Sequence, residues 1–298
     1  MQQTTKKSKN KSRKRRILTI IGTSILTFIL VLIILLIIYG DNRTLDFEFF
    51  TIYSQNTNSS QSQKPITIIH LSDMHFGTLR VDVDDLLYKI EKQNPDIIAI
   101  TGDIVGTNCN IKTSGVFDFI EDIVKIAPTF IVEGNHELSN RNTINLFTGM
   151  TDRGAVLLQD RAYTKNIRGK YITIIGLRYR SNRDLNVFKP LNLHCNDNDN
   201  FVLTLTHIPT LYNEIYSIKK TRIIPNLVLA GHNHGGQVRI FNRGIFCPDT
   251  LFFPRYISGL YISTEIENSY MILSRGIGNS TIPLRVNNRP HVPIIKIY

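Results

Sequence analysis

Between Ile17 and Tyr39 the chain carries no charged residue, only Leu, Ile, Val and Phe broken by a few Ser, Thr and Gly. As a helix these 23 residues reach about 35 Å at ~1.5 Å per residue, enough to cross the hydrocarbon core of a bilayer. A helix apolar on every face suits lipid better than the interior of a soluble domain. A cleavable leader is the main rival. Its apolar stretch is normally about 7–15 residues long and ends in small residues, whereas this run closes with Tyr39-Gly40-Asp41. The sequence therefore predicts a tail over residues 1–16, an uncleaved anchor over 17–39 and a folded domain over 45–298.

The tail holds Lys6, Lys7, Lys9, Lys11, Arg13, Lys14, Arg15 and Arg16 and no acid. Such a cluster stays in the cytoplasm, which places the following domain on the extracytoplasmic side. It also explains most of the net charge of +11: beyond it, 27 basic side chains face 24 acidic ones. A near-neutral domain without a basic stripe argues against long nucleic acid as a partner. Cys109, Cys195 and Cys247 are too widely spaced to suggest a metal site of their own.

Past the anchor, Leu45–Tyr53 begins with strand-like alternation, and Ser54–Lys64 is polar and loop-like. Apolar runs then end in polar turns. Ile66–Leu71 runs into Ser72-Asp73-Met74-His75, and Ile97–Thr101 into Gly102-Asp103. Phe130–Glu133 runs into Gly134-Asn135-His136-Glu137, Phe201–Leu205 into Thr206-His207, and Leu227–Ala230 into Gly231-His232-Asn233-His234. Val83–Gln93 and Val116–Ile126 have helical spacing, so strands alternate with helices and predict a layered α/β fold with parallel pairing. Beyond Gly235 the pattern shortens to β-like runs at Gln237–Ile240, Leu260–Thr264, Met271–Ser274 and Val292–Ile297.

Each of the five strand ends offers Asp, Asn or His. In open α/β sheets, sites form outside the carboxyl ends of strands, so these turns should converge. Asp73 and His75, like His232 and His234, stand two residues apart and can face one way as the strand runs out. Gly102, Gly134 and Gly231 precede ligand candidates and permit tight turns. One such block alone is an ordinary turn. Five in chain order predict a metal centre, and nitrogen and oxygen donors without thiolate suit Mn²⁺, Fe or Zn²⁺.

The motifs Asp73-x-His75, Gly102-Asp103, Gly134-Asn135-His136-Glu137, His207 and Gly231-His232-x-His234 resemble those of the calcineurin-like metallophosphoesterase superfamily. The resemblance spans roughly residues 66–298. Ser72-Asp73-Met74-His75, Gly235-Gly236-Gln237 and Ser274-Arg275-Gly276-Ile277-Gly278 look like the membrane-anchored bacterial branch. That branch is more distantly similar to the UDP-2,3-diacylglucosamine pyrophosphatases. The resemblance implies a layered β-sandwich flanked by helices, preceded here by one transmembrane helix, and a dinuclear metal-dependent phosphoester hydrolase. It implies Asp73, His75 and His234 around one ion, Asn135, His207 and His232 around the other, and Asp103 between them. His136 would stay off the metals and face the substrate phosphate. Glu137 stands where many members carry Asp, the acid to which the resemblance gives the task of orienting that histidine.

Two divalent ions would clamp the attacking and leaving oxygens of a phosphoryl centre, with His136 stabilising the equatorial oxygens or handing a proton to the leaving group. The chain has neither a Gly-x-Ser-x-Gly elbow nor a Walker-type loop, consistent with hydrolysis that needs no covalent enzyme intermediate. Arg275 and, less strongly, Arg239 offer guanidinium groups for a phosphate. The segment Phe241–Tyr261, with Phe246, Leu251, Phe252, Phe253 and Tyr256, either fills a small subdomain or meets membrane lipid or an acyl chain. The expected substrate is therefore a lipid-linked or envelope phosphodiester or pyrophosphate. A nucleotide phosphodiesterase or nuclease and a non-catalytic metal scaffold are the alternatives. A UDP-linked lipid would be cytoplasmic, against the orientation that the basic tail predicts.

Overall fold

The structure is a computed structural model that describes residues 2–39, 43–53, 64–179, 200–212, 224–240, 243–247, 251–252, 254–263, 266–279 and 285–298. The chain divides into two compact units, Met1–Gly40 and Asp41–Tyr298. The first is the helix α1 (Gln2–Tyr39), of which Arg13–Ile34 is long and apolar enough to cross a membrane, with a mean hydropathy of 2.8. Three of its threonine hydroxyls donate to carbonyls of the same helix. Thr19 Oγ1 donates to Arg15 O, Thr23 to Ile20 O and Thr27 to Thr23 O, which suits them to an apolar surrounding.

The second unit is built on two six-stranded sheets. Its elements in order are β1 (Asp46–Ile52), β2 (Ile66–Leu71), α2 (Val83–Glu91), β3 (Ile97–Thr101), α3 (Val116–Ile126), β4 (Thr129–Val132), α4 (Asn135–Ser139), α5 (Thr143–Asp152) and β5 (Val156–Leu157). Then follow β6 (Arg161–Ile167), β7 (Lys170–Gly176), β8 (Asn200–Leu205) and β9 (Leu227–Ala230). The chain closes with β10 (Arg239–Ile240), β11 (Arg243–Gly244), β12 (Phe246–Cys247), β13 (Leu251–Phe252), β14 (Gly259–Ile262), β15 (Tyr270–Leu273) and β16 (His291–Ile297). One sheet runs β1-β16-β2-β3-β4-β5 and the other β14-β15-β9-β8-β7-β6, while β10-β11 and β12-β13 form small ribbons.

The apolar runs are continuous rather than alternating because the central strands are covered on both faces. On β2 and β3, Ile66, Ile68, Ile97 and Ala99 point between the sheets and meet Ile172, Ile174, Leu203, Leu205 and Leu229. Their neighbours Ile69, Leu71, Ile98 and Ile100 point the other way, onto Leu86 and Ile90 of α2, Phe119, Ile120 and Ile123 of α3, and Leu146 and Met150 of α5. The outer face of the second sheet packs Val228, Ala230, Met271 and Leu273 against Tyr212 and Tyr256. This is the layered sandwich with flanking helices.

Two pairings set up the site. β2, β3, β4 and β5 are parallel in one sheet, and β7, β8, β9 and β15 in the other. Their carboxyl ends therefore open along one edge of each sheet. The strand β1, expected from the alternation at 45–53, pairs parallel with β16, the C-terminal strand. Residues 54–63 of the polar stretch lie outside the described residues.

Candidate metal centre

All seven predicted ligand residues stand just past the carboxyl ends of β2, β3, β4, β8 and β9, Asn135 as the first residue of α4, and the structure brings their donor atoms together. His75 Nε2 lies 3.2 Å from His234 Nε2, and His234 Nε2 lies 3.5 Å from Asp73 Oδ1. Opposite them, His207 Nε2 lies 3.1 Å from Asn135 Oδ1 and 3.0 Å from His232 Nδ1. Asp103 Oδ2 sits between the two groups, 3.9 Å from His75 Nε2 and 3.3 Å from His207 Nε2. Donors bound to one ion at ~2.1 Å and at roughly right-angled or tetrahedral spacing stand about 3.0–3.4 Å apart. The donor set fits divalent cations, with Asp103 between the two groups: most spacings fall at or near this range, and only the 3.9 Å from His75 to Asp103 is clearly wider.

The backbone is bent to achieve this. Asp73, His75, Asp103, His232 and His234 all adopt positive φ, between 47° and 78°. Such conformations cost side-chain-bearing residues on the order of 1 kcal/mol or more each and gather at functional sites, held by the surrounding structure. Here the hold is visible. His232 N–H donates to Asp73, Ser72 Oγ donates to Asp73 Oδ2 at 2.6 Å, and Gly278 N–H donates to Asp73 O. Asp103 Oδ1 accepts from His136 N–H at 2.9 Å, which turns Oδ2 toward the donors. Gly102, at φ +85°, lies so close to the neighbouring turn that an added Cβ would stand 2.6 Å from Gly134 N and 2.8 Å from His207 Nδ1.

Electrostatics follow from burial. Asp73 is fully buried and Asp103 is 2% exposed. Burial pushes both carboxyls up, but the imidazoles around them overcome it and hold both below the usual range, His234 acting chiefly on Asp73 and His207 on Asp103. Burial takes His75 down to about 4 and His234 down to about 3, so both rings present neutral nitrogen. His207 goes the other way: burial lowers it, yet contact with Asp103 raises it to about 10. Its Nδ1 lies 2.8 Å from Thr101 O and must donate there, so the proton that a cation would displace is the one on Nε2, beside Asp103.

His136 is set apart. It is the second residue of α4, with a side chain 24% exposed, and its Nε2 lies 3.8 Å from Asp103 Oδ2. Thr107 N–H donates to His136 Nδ1 at 3.2 Å and Thr107 Oγ1 lies 2.9 Å from the same nitrogen. A nitrogen that accepts from a backbone amide carries no proton, so the N–H of the neutral ring sits on Nε2, toward the centre. Glu137 does not orient His136, contrary to what the resemblance implied. Its carboxylate is buried beneath the turns and accepts from Asp103 N–H, Val105 N–H and Gly134 N–H at 2.7–3.1 Å. Burial, reinforced by the Asp103 charge, pushes Glu137 up to about 7.

Arg275 does not point its guanidinium into the centre. The side chain is 9% exposed and is bound by Asp46, at 2.5 Å, and Glu48, at 3.3 Å, both on β1. Arg239 Nη1 donates to Ser258 Oγ at 2.6 Å. The cation that does reach the site is Arg285, which sequence reasoning missed. It is 2% exposed, braces the loop after β15 through Gly278 O and Arg275 O, and stands 3.4 Å from His234 Nδ1. Of the aromatic segment, Tyr256 is buried and Tyr261 half-buried, their rings edge to face. The side chains of Phe241, Phe246, Leu251, Phe252 and Phe253 lie outside the described residues.

Residues 66–236 match the sequence profile of the family described as calcineurin-like phosphoesterase. Among similar proteins is the uncharacterized metallophosphoesterase YkoQ of Bacillus subtilis, 27% identical over 271 residues, which cover 87% of this chain and 94% of the relative. The phosphodiesterase YaeI of Escherichia coli is 28% identical over 240 residues, 78% of this chain and 82% of its own. Among solved structures, the NAD nucleotidase NadN of Haemophilus influenzae shares the fold at a TM-score of 0.50 and 13% identity. That match covers 72% of this chain but 46% of the nucleotidase, so the chain spans about half of that protein.

Proposed function

The chain belongs to the calcineurin-like phosphoesterase family and is a metal-dependent phosphoester hydrolase; on that premise we propose that it is a membrane-anchored enzyme using two divalent ions, Mn²⁺ first, on a phosphodiester or pyrophosphate bond of a lipid-linked or envelope substrate. The observation that supports the dinuclear reading is Asp103 Oδ2, placed between a group of Asp73, His75 and His234 and a group of Asn135, His207 and His232. When bound, the ions would supply Lewis-acid charge at the phosphoryl oxygens and ease ionisation of the attacking water.

The chain's own groups do the rest. Asp73, Asp103 and the imidazoles around them fix where positive charge accumulates, and the phosphate must come to that edge of the sandwich. His136, with its N–H at Nε2, hydrogen-bonds a phosphoryl oxygen and stabilises the charge that develops there. Thr107 keeps the ring in that tautomer. The lipid or envelope character of the substrate rests on α1 and on the bacterial branch that the motifs resemble, a UDP-2,3-diacylglucosamine-type pyrophosphate being the most specific form of it. A nucleotide phosphodiesterase is the alternative that the superfamily offers.

Full-length protein in detergent, supplied with Mn²⁺, should hydrolyse bis(p-nitrophenyl) phosphate. His136→Ala should lower kcat by about 10²–10⁴-fold while metal content is retained. A protein that binds metal and turns over nothing would be a scaffold and not this enzyme. For topology, protease added outside intact cells should digest the catalytic unit, and a protected unit would place it in the cytoplasm.

A further inference from the structure

Beside His75 and His136 opens a cleft of about 610 Å³, within the usual range for small-molecule sites. Its walls are the turn after β2, the loop 106–114 after β3 and the loop after β15. Among the described residues no Lys, Arg, Asp or Glu lines it; beyond the two imidazoles its polar side chains are mainly hydroxyls and amides, including Thr78, Asn108, Asn110, Thr113, Ser114 and Asn279. Asn279 is the telling one. It is 4% exposed, lines the cleft, and its Oδ1 has no hydrogen-bond partner. A buried acceptor left unpaired is an exception that calls for a donor from outside the protein.

The walls are fixed. Gly278 N–H donates to Asp73 O at 2.7 Å, which ties the Asn279 loop to a ligand turn. Asn140 Nδ2 donates to Gly106 O and Cys109 O, and Gly106 N–H donates to Phe76 O, which pin the opposite wall. A site organised in this way before the ligand arrives loses little on ordering.

We infer that this cleft is the subsite for one alcohol arm of the phosphodiester, and that the arm is a neutral, hydroxyl-rich group such as a polyol or sugar. The inference rests on the phosphodiesterase reading above and deepens it. A second phosphate or a carboxylate in the cleft would meet no counter-charge among the described residues. A hydrocarbon chain would strip water from the hydroxyls and amides that line the cleft, leave Asn279 Oδ1 unpaired and offer no donor in return. A hydroxyl-bearing arm supplies donors to Asn279 and acceptors to the threonines. The cleft thus selects the head of an envelope substrate, with any acyl part lying elsewhere.

The test uses the full-length protein with Mn²⁺ and three symmetric diesters. Bis(p-nitrophenyl) phosphate reports the hydrolase itself. Bis(2,3-dihydroxypropyl) phosphate and dipropyl phosphate are followed by phosphorus NMR as the monoester appears. The expected result is a kcat/KM preference of about tenfold or more for the dihydroxypropyl ester over the propyl ester, since a site built around a hydroxyl rejects the analogue lacking it. Asn279→Leu and Thr113→Val should each lower that ratio about threefold or more, the ratio within each variant cancelling any general loss of activity. Thr113 is exposed, so its variant keeps the test alive if Asn279→Leu fails to fold. Equal turnover of the two alkyl esters, or a preference that both variants leave intact, overturns the subsite while the hydrolase stands. No turnover of bis(p-nitrophenyl) phosphate overturns the hydrolase, and the subsite with it.

Discussion

The sharpest departures from expectation lie in single side chains whose partners are distant in sequence. Arg275 meets Asp46 and Glu48 more than two hundred residues away, and nothing in the local string Ser274-Arg275-Gly276 announces that pairing. Glu137 was legible as an acid beside His136, but its role was not, because the carboxylate turns under the Asp103 and Gly134 turns instead. The histidine is oriented by Thr107, a residue with no motif of its own. Thr107→Val keeps the backbone N–H but removes the hydroxyl 2.9 Å from His136 Nδ1. It should lower kcat on a chromogenic diester by about tenfold, or ~1.4 kcal/mol of barrier, with KM less affected. Thr107→Ser should restore most of the rate. The ligand residues themselves could be read because each stands within a few residues of a strand's end, where local chemistry and position coincide.

At the scale of elements, the site depends on turns that pass each other too closely for any side chain. Gly231 follows β9, and an added Cβ there would collide with Ser72 Oγ and stand 2.5 Å from Asp73 Oδ2. Gly231→Ala should therefore push the β2 and β9 turns apart. The measurable outcome is loss of bound metal and destabilisation of about 1–3 kcal/mol by denaturant unfolding. A second device joins the sheets at the end away from the site. Asp96, before β3, accepts Arg168 Nη1 at 2.5 Å and Nη2 at 2.7 Å from the β6–β7 turn, and Thr67 N–H of β2 at 2.8 Å. Burial raises this carboxyl, but Arg168 and the Thr67 N–H hold it below its ordinary value. A lowered folded-state value stabilises the fold above the ordinary carboxylate range, and that contribution is lost as pH falls through the lowered value. Asp96→Asn should cost about 1 kcal/mol near neutrality, the upper end for a partly exposed pair, and the difference from wild type should vanish toward acid pH. A gap that stays constant with pH would show that the charge plays no part. Helices and strands were readable from periodicity, whereas this cross-sheet link was not, since neither residue belongs to a patterned segment.

For the whole molecule, two parallel arrays of strands ending at the same edge explain why residues spread from Asp73 to His234 meet at one place. The sequence showed the order of strands and their polar ends, and the strand–helix alternation implied parallel pairing. It did not show the antiparallel return of β16 beside β2, because a C-terminal apolar run carries no signal of its partner. The long apolar helix was readable from composition alone, as length and lack of charge are all that mark such a segment. On the proposed reading, the molecule works as an enzyme of this class through a pair of cations held by the seven donors gathered at that edge. The most direct test is elemental analysis of full-length protein purified in detergent, loaded with Mn²⁺ and freed of excess by gel filtration. The account expects close to two ions per chain in the wild type, with Asp103→Asn, which weakens the shared donor, retaining markedly fewer while keeping its fold by circular dichroism. A folded wild-type protein that retains no ion, or a single ion unaffected by Asp103→Asn, would contradict it.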